Sequence, residues 1–263
     1  MEPKDSKNLQ TLDKALKTLT CFSRQRPELG ITELSQQLEL SKSIVHRIVS
    51  TLENWGFLEQ NAASKKYRLG IKLFELGNLV SGELEIRSHA LPIMQELADY
   101  SGETVNLTVV DRVSYEGVCI ETVESQQSIK FSTRVGTTMP LHWGASRKIL
   151  MAYLSPTEVD LVIQRNGQSP IIERTIKKPE LLKEELRRIH LQGYAISREE
   201  VDSGAAAVAA PIFDLHGQIT AGVTIVGPLY RMQPNKLEML IDRIRKAARE
   251  ITAKIGGREW AGY

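Results

Sequence analysis

Between residues 41 and 68 the chain concentrates side chains able to contact a polyanion. Ser41, Lys42, Ser43, His46, Arg47 and Ser50 fall on one side of a helical repeat, and Lys65, Lys66 and Arg68 come next in a short hairpin. Hydroxyl, imidazole, ammonium and guanidinium groups reach phosphate oxygens and base edges, and the first of them lie at the helix end that enters a major groove. Ile44, Ile48 and Leu52 recur every four residues on the opposite side, as a packing face. A solvated helix face is the competing reading of such a stripe. The residues after the helix decide against it. Trp55-Gly56-Phe57-Leu58 stops the helix at Gly56 and opens an apolar strand, residues 61–66 form a polar turn, and Tyr67-Arg68-Leu69-Gly70 returns as a second strand. A basic hairpin there meets the phosphate backbone.

A second group of residues suits a small anion. Gly144, Ala145 and Ser146 precede an apolar run, placing small residues and free backbone N–H groups at a predicted helix N-terminus, which favours a carboxylate. Ser146 and Thr224 add hydroxyls, while Ala207 and Val226 leave an apolar wall. Close packing of helix on sheet is the alternative role for Gly144 and Ala145. Other reactive types lack the spacing that chemistry needs. His89, Asp111, Cys119 and His142 match no metal or nucleophile pattern, and Cys119 alternates with Val118 and Ile120 as a packed strand residue does. Glu199, Glu200, Asp202 and Ser203 have no histidine or paired carboxylate placed to work with them. No catalytic residue, metal ligand or cofactor site is assigned.

These groups must be positioned by elements legible in the pattern. Leu12, Ala15, Leu16, Leu19 and Phe22 keep helical spacing for a supporting helix, after a frayed, polar start. Thr32 is the expected N-cap of the next helix, with Leu34 and Leu38 on one face, and Ser41 the N-cap of the reading helix. Residues 71–83 read as an apolar linker helix, with a boundary between residues 81 and 84 and breaks expected near Gly77, Ser81-Gly82 and Pro92. Beyond it the period changes to strands around residues 105–123, 129–135, 194–198, 205–213 and 219–226. Ser155-Pro156-Thr157-Glu158 is a capping box, and Pro179 and Pro234 open further helices. Lys177 and Lys178 suit a solvated face. The expected fold is α+β: an N-terminal winged helix-turn-helix (residues 1–70), a linker and dimerisation helix (71–83), and an antiparallel sheet flanked by helices (84–263).

Four stretches in order resemble the IclR family of bacterial transcriptional regulators. They are the reading unit ending in Lys66-Tyr67-Arg68-Leu69-Gly70, then Gly136-Thr137-Thr138-Met139-Pro140-Leu141-His142, then Gly193-Tyr194-Ala195 through Glu200 to Gly204, and Ala209-Ala210-Pro211-Ile212-Phe213-Asp214 through Gly227-Pro228. The resemblance spans residues 12–257. It implies a GAF-like C-terminal domain binding a small organic-acid effector, a homodimer or tetramer, and a place upstream of catabolic genes. The implied pocket is walled at Gly144 and Ala145 and closed around Ser197, Ala207, Thr224 and Val226. Where many members carry a Gly-Lys pair, this chain reads Arg147-Lys148, which changes the charge and bulk of that wall.

Composition is consistent with this assignment. Residues 1–70 carry 11 Lys and Arg against 8 Asp and Glu, while the remainder carries 23 against 24, a mildly basic head on a neutral body. Two distant cysteines, no leader-like N-terminus and no bilayer-length apolar run lead to the expectation of a reduced, cytoplasmic, soluble protein with no membrane partner. The function expected is a ligand-responsive regulator that binds a palindromic, double-stranded operator as a dimer. Its rivals are an enzyme, or a protein-interaction module, carrying a winged helix.

Overall fold

The computed structural model describes residues 9–83, 85–166 and 178–258, in two compact units, 1–84 and 85–263. The expected frayed start (residues 1–8) and Lys177 lie outside the described residues.

The first unit runs α1 (Gln10–Thr20), α2 (Ile31–Leu38), α3 (Lys42–Asn54), β1 (Leu58–Gln60), β2 (Tyr67–Leu69) and α4 (Ile71–Glu83). Cys21, Leu29, Leu34, Val45, Val49, Leu58 and Tyr67 form its core. β1 and β2 pair antiparallel with Leu58 opposite Leu69, and a bridge from Leu29 to Tyr67 ties the hairpin back to the chain before α2. The helix-to-wing corner is a Schellman turn: Gly56 N–H donates to Glu53 O and Phe57 N–H to Leu52 O, with Gly56 at φ 73°.

Three local expectations change. α2 is capped at Gly30, whose N–H donates to the Glu33 carboxylate at 2.7 Å, so Thr32 already lies inside the helix. On α3 the buried stripe is Val45, Ile48 and Val49, and Ile44 turns outward at 38% exposure. A strict four-residue repeat drifts around a 3.6-residue helix, so the stripe follows the mixed three- and four-residue steps. On α1, Thr18 and Cys21 face the core while Leu12 and Leu16 are both 55% exposed. Thr18 can be buried because its hydroxyl donates to Lys14 O at 2.8 Å, inside its own helix.

The second unit holds α5 (Glu85–Ser101), β3 (Thr104–Asp111), β4 (Glu116–Val123), β5 (Thr138–Pro140), α6 (Gly144–Met151), α7 (Pro156–Asn166), α8 (Pro179–Gln192), β6 (Ala195–Arg198), β7 (Ala205–Phe213), β8 (Ile219–Pro228) and α9 (Pro234–Lys254). The strands form one antiparallel sheet in the order β5-β4-β3-β8-β7-β6. α5 and α9 pack on one face; α6, backed by α8, packs on the other. β7 is therefore buried at all nine positions, reading as a continuous apolar run rather than an alternation. A side chain at Gly222 would lie 2.8 Å from Ile149 Cγ2, so that glycine lets α6 sit down on β8. The capping box forms as expected, with Ser155 N–H donating to Glu158 at 2.9 Å and Glu158 N–H to the Ser155 hydroxyl at 3.3 Å. The expected breaks do not form: α5 runs through Pro92, and α4 through Gly77, Ser81 and Gly82.

The strand expected at residues 129–135 does not form. β5 takes the sheet edge instead, with Met139 opposite Gly117. The intervening loop is held by side chains: the Thr122 hydroxyl donates to Thr133 O at 2.5 Å, Asn106 Nδ2 to Thr133 Oγ1 at 3.3 Å, and Arg231 Nη2 to Ile129 O at 2.8 Å. Two of those bonds occupy carbonyls a ladder would use, at Thr133 and Ile129, so side chains compete with the sheet for an alternating sequence. Arg231 itself is fixed by Glu103, a buried carboxylate, through Nε and Nη2 at 2.7 Å each.

Candidate DNA-reading and effector sites

On α3 the burial of Val45, Ile48 and Val49 leaves Ser41, Lys42, Ser43, His46 and Arg47 exposed and Ser50 half-buried, so the predicted stripe is a continuous outward face. Ser41 is the N-cap by backbone position, but its hydroxyl pairs with that of Ser43 at 3.1 Å rather than with a helix N–H. The first N–H groups of α3 therefore lack a side-chain cap, which suits a helix end that receives a phosphate. His46 Nδ1 lies 3.5 Å from the Ser50 hydroxyl, one turn along.

The wing is shaped from within. The Asn61 side-chain oxygen accepts from Ala63 N–H at 2.9 Å and Ser64 N–H at 3.3 Å, and Lys65 turns the chain at φ 58°. Glu28 fastens the turn to the head, accepting from Asn61 Nδ2 at 2.8 Å and the Ser64 hydroxyl at 2.9 Å. The three basic residues differ. Lys66 is paired with Glu33 at 3.0 Å and Arg68 with Glu59 at 3.0 Å, whereas Lys65 is exposed with no ion pair among the described residues. Such exposed pairs are weak and open readily to a stronger anion.

In the sheet unit, register brings together residues far apart in sequence. Ser197 lies opposite Ala207 and Ala207 opposite Val226, a row across three strands, and Thr224 lies one step along beside Asn106. The same face carries α6. A side chain at Gly144 would meet Val201 at 2.9 Å and the Ser197 hydroxyl at 3.8 Å, which sets the start of α6 over that row. Ala145, Ala207 and Val226 belong to the apolar cluster beneath the helix. Ser146 is buried, its hydroxyl accepting from Arg147 Nη1 at 2.9 Å.

The α6 N-terminus does attract a carboxylate, but an internal one. Gly144 N–H donates to Glu200 Oε2 at 3.3 Å, and the other Glu200 oxygen takes Lys148 Nζ at 2.7 Å. Lys148, 1% exposed, is also held by Glu185 from α8 at 2.6 Å. Burial pushes the Glu200 carboxyl above its ordinary range, with Lys148 pulling the other way. Arg147 has no such partner among the described residues: it is 5% exposed, burial pushes its guanidinium below the usual range, and Nε meets no acceptor. Asn106 Oδ1 on β3, Thr224 Oγ1 on β8, and His142 Nε2 and Trp143 Nε1 just before α6 are also buried without partners. Burial likewise lowers His142 and raises Cys119, whose sulfur lies 3.3 Å from the Thr122 hydroxyl. Buried polar atoms without partners are uncommon in a folded chain, and five of them occur in α6, the turn before it and the two strands β3 and β8.

Asn106 and Glu185 are the members that reading by residue type passed over, while Arg147 entered only as a change in the pocket wall and Glu200 only as a carboxylate without a partner. A signal existed for Asn106, the one amide inside the run Val105 to Val110, where strand propensity disfavours it. For Glu185 there was none, and nothing local paired Glu200 with a cation, because only the fold brings the two to Lys148.

The chain matches the family model for the IclR helix-turn-helix domain over residues 11–62 and that for the bacterial transcriptional regulator IclR C-terminal domain over residues 79–253. It is 34% identical over 247 residues to the transcriptional regulator KipR of Bacillus subtilis, covering 94% of this chain and 97% of that protein. Its fold is similar to the crystal structure of an IclR-type regulator from a Silicibacter species, with a TM-score of 0.83 at 26% identity, covering 95% of this chain and 97% of that one. It is also similar to an IclR homologue from Microbacterium hydrocarbonoxydans complexed with 4-hydroxybenzoate, with a TM-score of 0.78 at 26% identity over 93% of this chain and 98% of that one. With both halves matched in order along the chain, the protein belongs to the IclR family of DNA-binding transcriptional regulators.

Proposed function

We propose that this regulator binds a palindromic operator as a homodimer, each protomer laying α3 in one of two successive major grooves about 34 Å apart. Lys42, Ser43, His46 and Arg47 contact base edges, while Ser41, Ser50, Lys65, Lys66 and Arg68 contact the backbone. The observation that carries the reading is the clean division of α3 into a buried stripe and an exposed polar face beside a basic wing. Support for the dimer comes from α4, where Ile71, Phe74, Leu76, Leu79 and Val80 are all exposed on one short helix. Apolar surface so concentrated is stabilised by a second copy. A regulator that reads chromosomal DNA works beside the chromosome, in the cytoplasm.

The effector is a small organic acid bound under α6, among Gly144, Ala145, Ser146, Ser197, Ala207, Thr224 and Val226. The bound 4-hydroxybenzoate of the Microbacterium relative supports that class of ligand. By binding one dimer arrangement better than the other, the acid shifts operator affinity by its differential affinity for the two.

Fluorescence anisotropy across a salt series tests this, comparing DNA upstream of the protein's own gene with scrambled DNA of equal length. The expected result is a preference of at least about 1,000-fold with a steep salt dependence. Equal, weak binding to both would overturn it.

A further inference from the structure

With α6 as the lid of an effector site, one charge on it still lacks a role. Among the described residues Lys148 is neutralised twice, by Glu185 and Glu200, yet its neighbour Arg147 makes no ion pair. The Arg147 stem is wedged against the sheet: a side chain at Gly117 would lie 2.6 Å from Arg147 Cγ and 3.3 Å from Thr108 Cγ2. The guanidinium is thus confined above β3 and β4 with Ser146 Oγ as its one hydrogen-bond acceptor among the described residues, and with Nε buried and idle. Burying an unpaired guanidinium costs folding free energy, so a fold that keeps one there has a use for it. Two residues before Thr108, on the same face of β3, stands Asn106, opposite Thr224 on β8. Asn106 is 5% exposed and Thr224 2%, and each has an oxygen without a partner. Same-face positions on a strand are about 7 Å apart, the span of a small molecule with a polar group at each end.

We propose that Arg147 anchors the carboxylate of the effector in a forked pair of hydrogen bonds, and that Asn106 and Thr224 take a hydroxyl at its other end. The ligand class is therefore a small hydroxy acid. The assignment rests on the proposed effector site but narrows it, since neither a simple acid nor an uncharged polar molecule satisfies both ends. A guanidinium suits the task because its planar fork matches a carboxylate and stays charged when buried. Beyond Thr224 the same sheet face continues with the small, apolar Ala209 on β7.

Thermal unfolding of the full-length protein tests this with sodium lactate, 4-hydroxybenzoate and acetate as carboxylates, lactamide as the uncharged control, and sodium chloride to match ionic strength. The unfolding temperature should rise by about 5 °C with at least one hydroxy acid near saturation, less with acetate, and not with lactamide. Arg147→Met should respond to none of them while unfolding, without ligand, no lower than the parent, because a buried charge without an ion pair, which Asp202 influences only at longer range, has been removed. Thr224→Val keeps the anchor and should weaken the hydroxy acid about tenfold relative to acetate. A parent indifferent to every carboxylate, or an Arg147→Met protein that still responds or unfolds well below the parent, would overturn the assignment. Operator binding separates the two levels: a parent that prefers its own upstream DNA while failing this test keeps the regulator reading and loses only Arg147.

Discussion

The two units solve opposite problems with the same kinds of residue. The head displays its polar and cationic side chains on the surface within residues 41–68, where a cation costs little and a polyanion binds by releasing counterions. The sheet unit carries its chemistry inside, where Arg147, Lys148, Asn106 and Thr224 are each at least nine-tenths buried. There every unpaired polar atom is a standing cost that a ligand can remove. An exposed site tolerates paired and unpaired cations side by side, as Lys66 and Lys65 show, because water screens both. A buried site cannot, and the contrast between Lys148 and Arg147 on adjacent residues is informative for that reason.

The sharpest break of this contrast is Lys148→Met, which strands Glu185 and Glu200 in a largely buried site. It should cost the sheet unit about 3 kcal/mol in urea unfolding, and a loss under about 1 kcal/mol would mean the carboxylates simply take up protons. In the head, Arg47→Ala should leave the unfolding temperature unchanged and weaken operator binding by about 1–3 kcal/mol, with relaxed preference at one base pair. A uniform loss across sequences would move Arg47 from base edge to backbone. Smaller still, Lys65→Ala should reduce the slope of log affinity against log salt by about 1, whereas Arg68→Ala, whose charge is already shared with Glu59, should change it less. Equal slopes would show that DNA opens the Glu59 pair completely.

The subtlest test is in pH. Burial holds the folded His142 imidazole below its ordinary range, so as pH falls through about 6.5 the unfolded chain takes up a proton that the folded chain refuses. The folded state then loses stability on acidification, until the pH reaches the lowered folded value. His142→Asn should flatten the unfolding temperature between pH 7 and 5 relative to the parent, and parallel curves would place the imidazole in water.

Legibility followed the same division. The exposed polar face of α3 was visible because helix period, cap and side-chain type sit in one segment, and Ile44 departs from it by a small phase drift. Thr32 failed as a cap because Glu33 reaches back to Gly30 first, a choice between neighbours that propensity does not rank. Residues 129–135 alternate as a strand does, and lost to side-chain bonds from Thr122, Asn106 and Arg231 that no local pattern contains.

By itself, the sequence determined the two-part α+β build, the reading helix and wing, and the small-residue start of α6, because each is written within one or two turns of chain. Tertiary structure alone decided that Glu200 would occupy the Gly144 N–H and that Glu185 would join it on Lys148. It also decided that Arg147 would be buried on the face of Asn106 and Thr224 with no ion pair among the described residues. Those partnerships depend on strand register and helix packing between residues tens of positions apart, and the balance of pairing against desolvation is struck only when the fold closes.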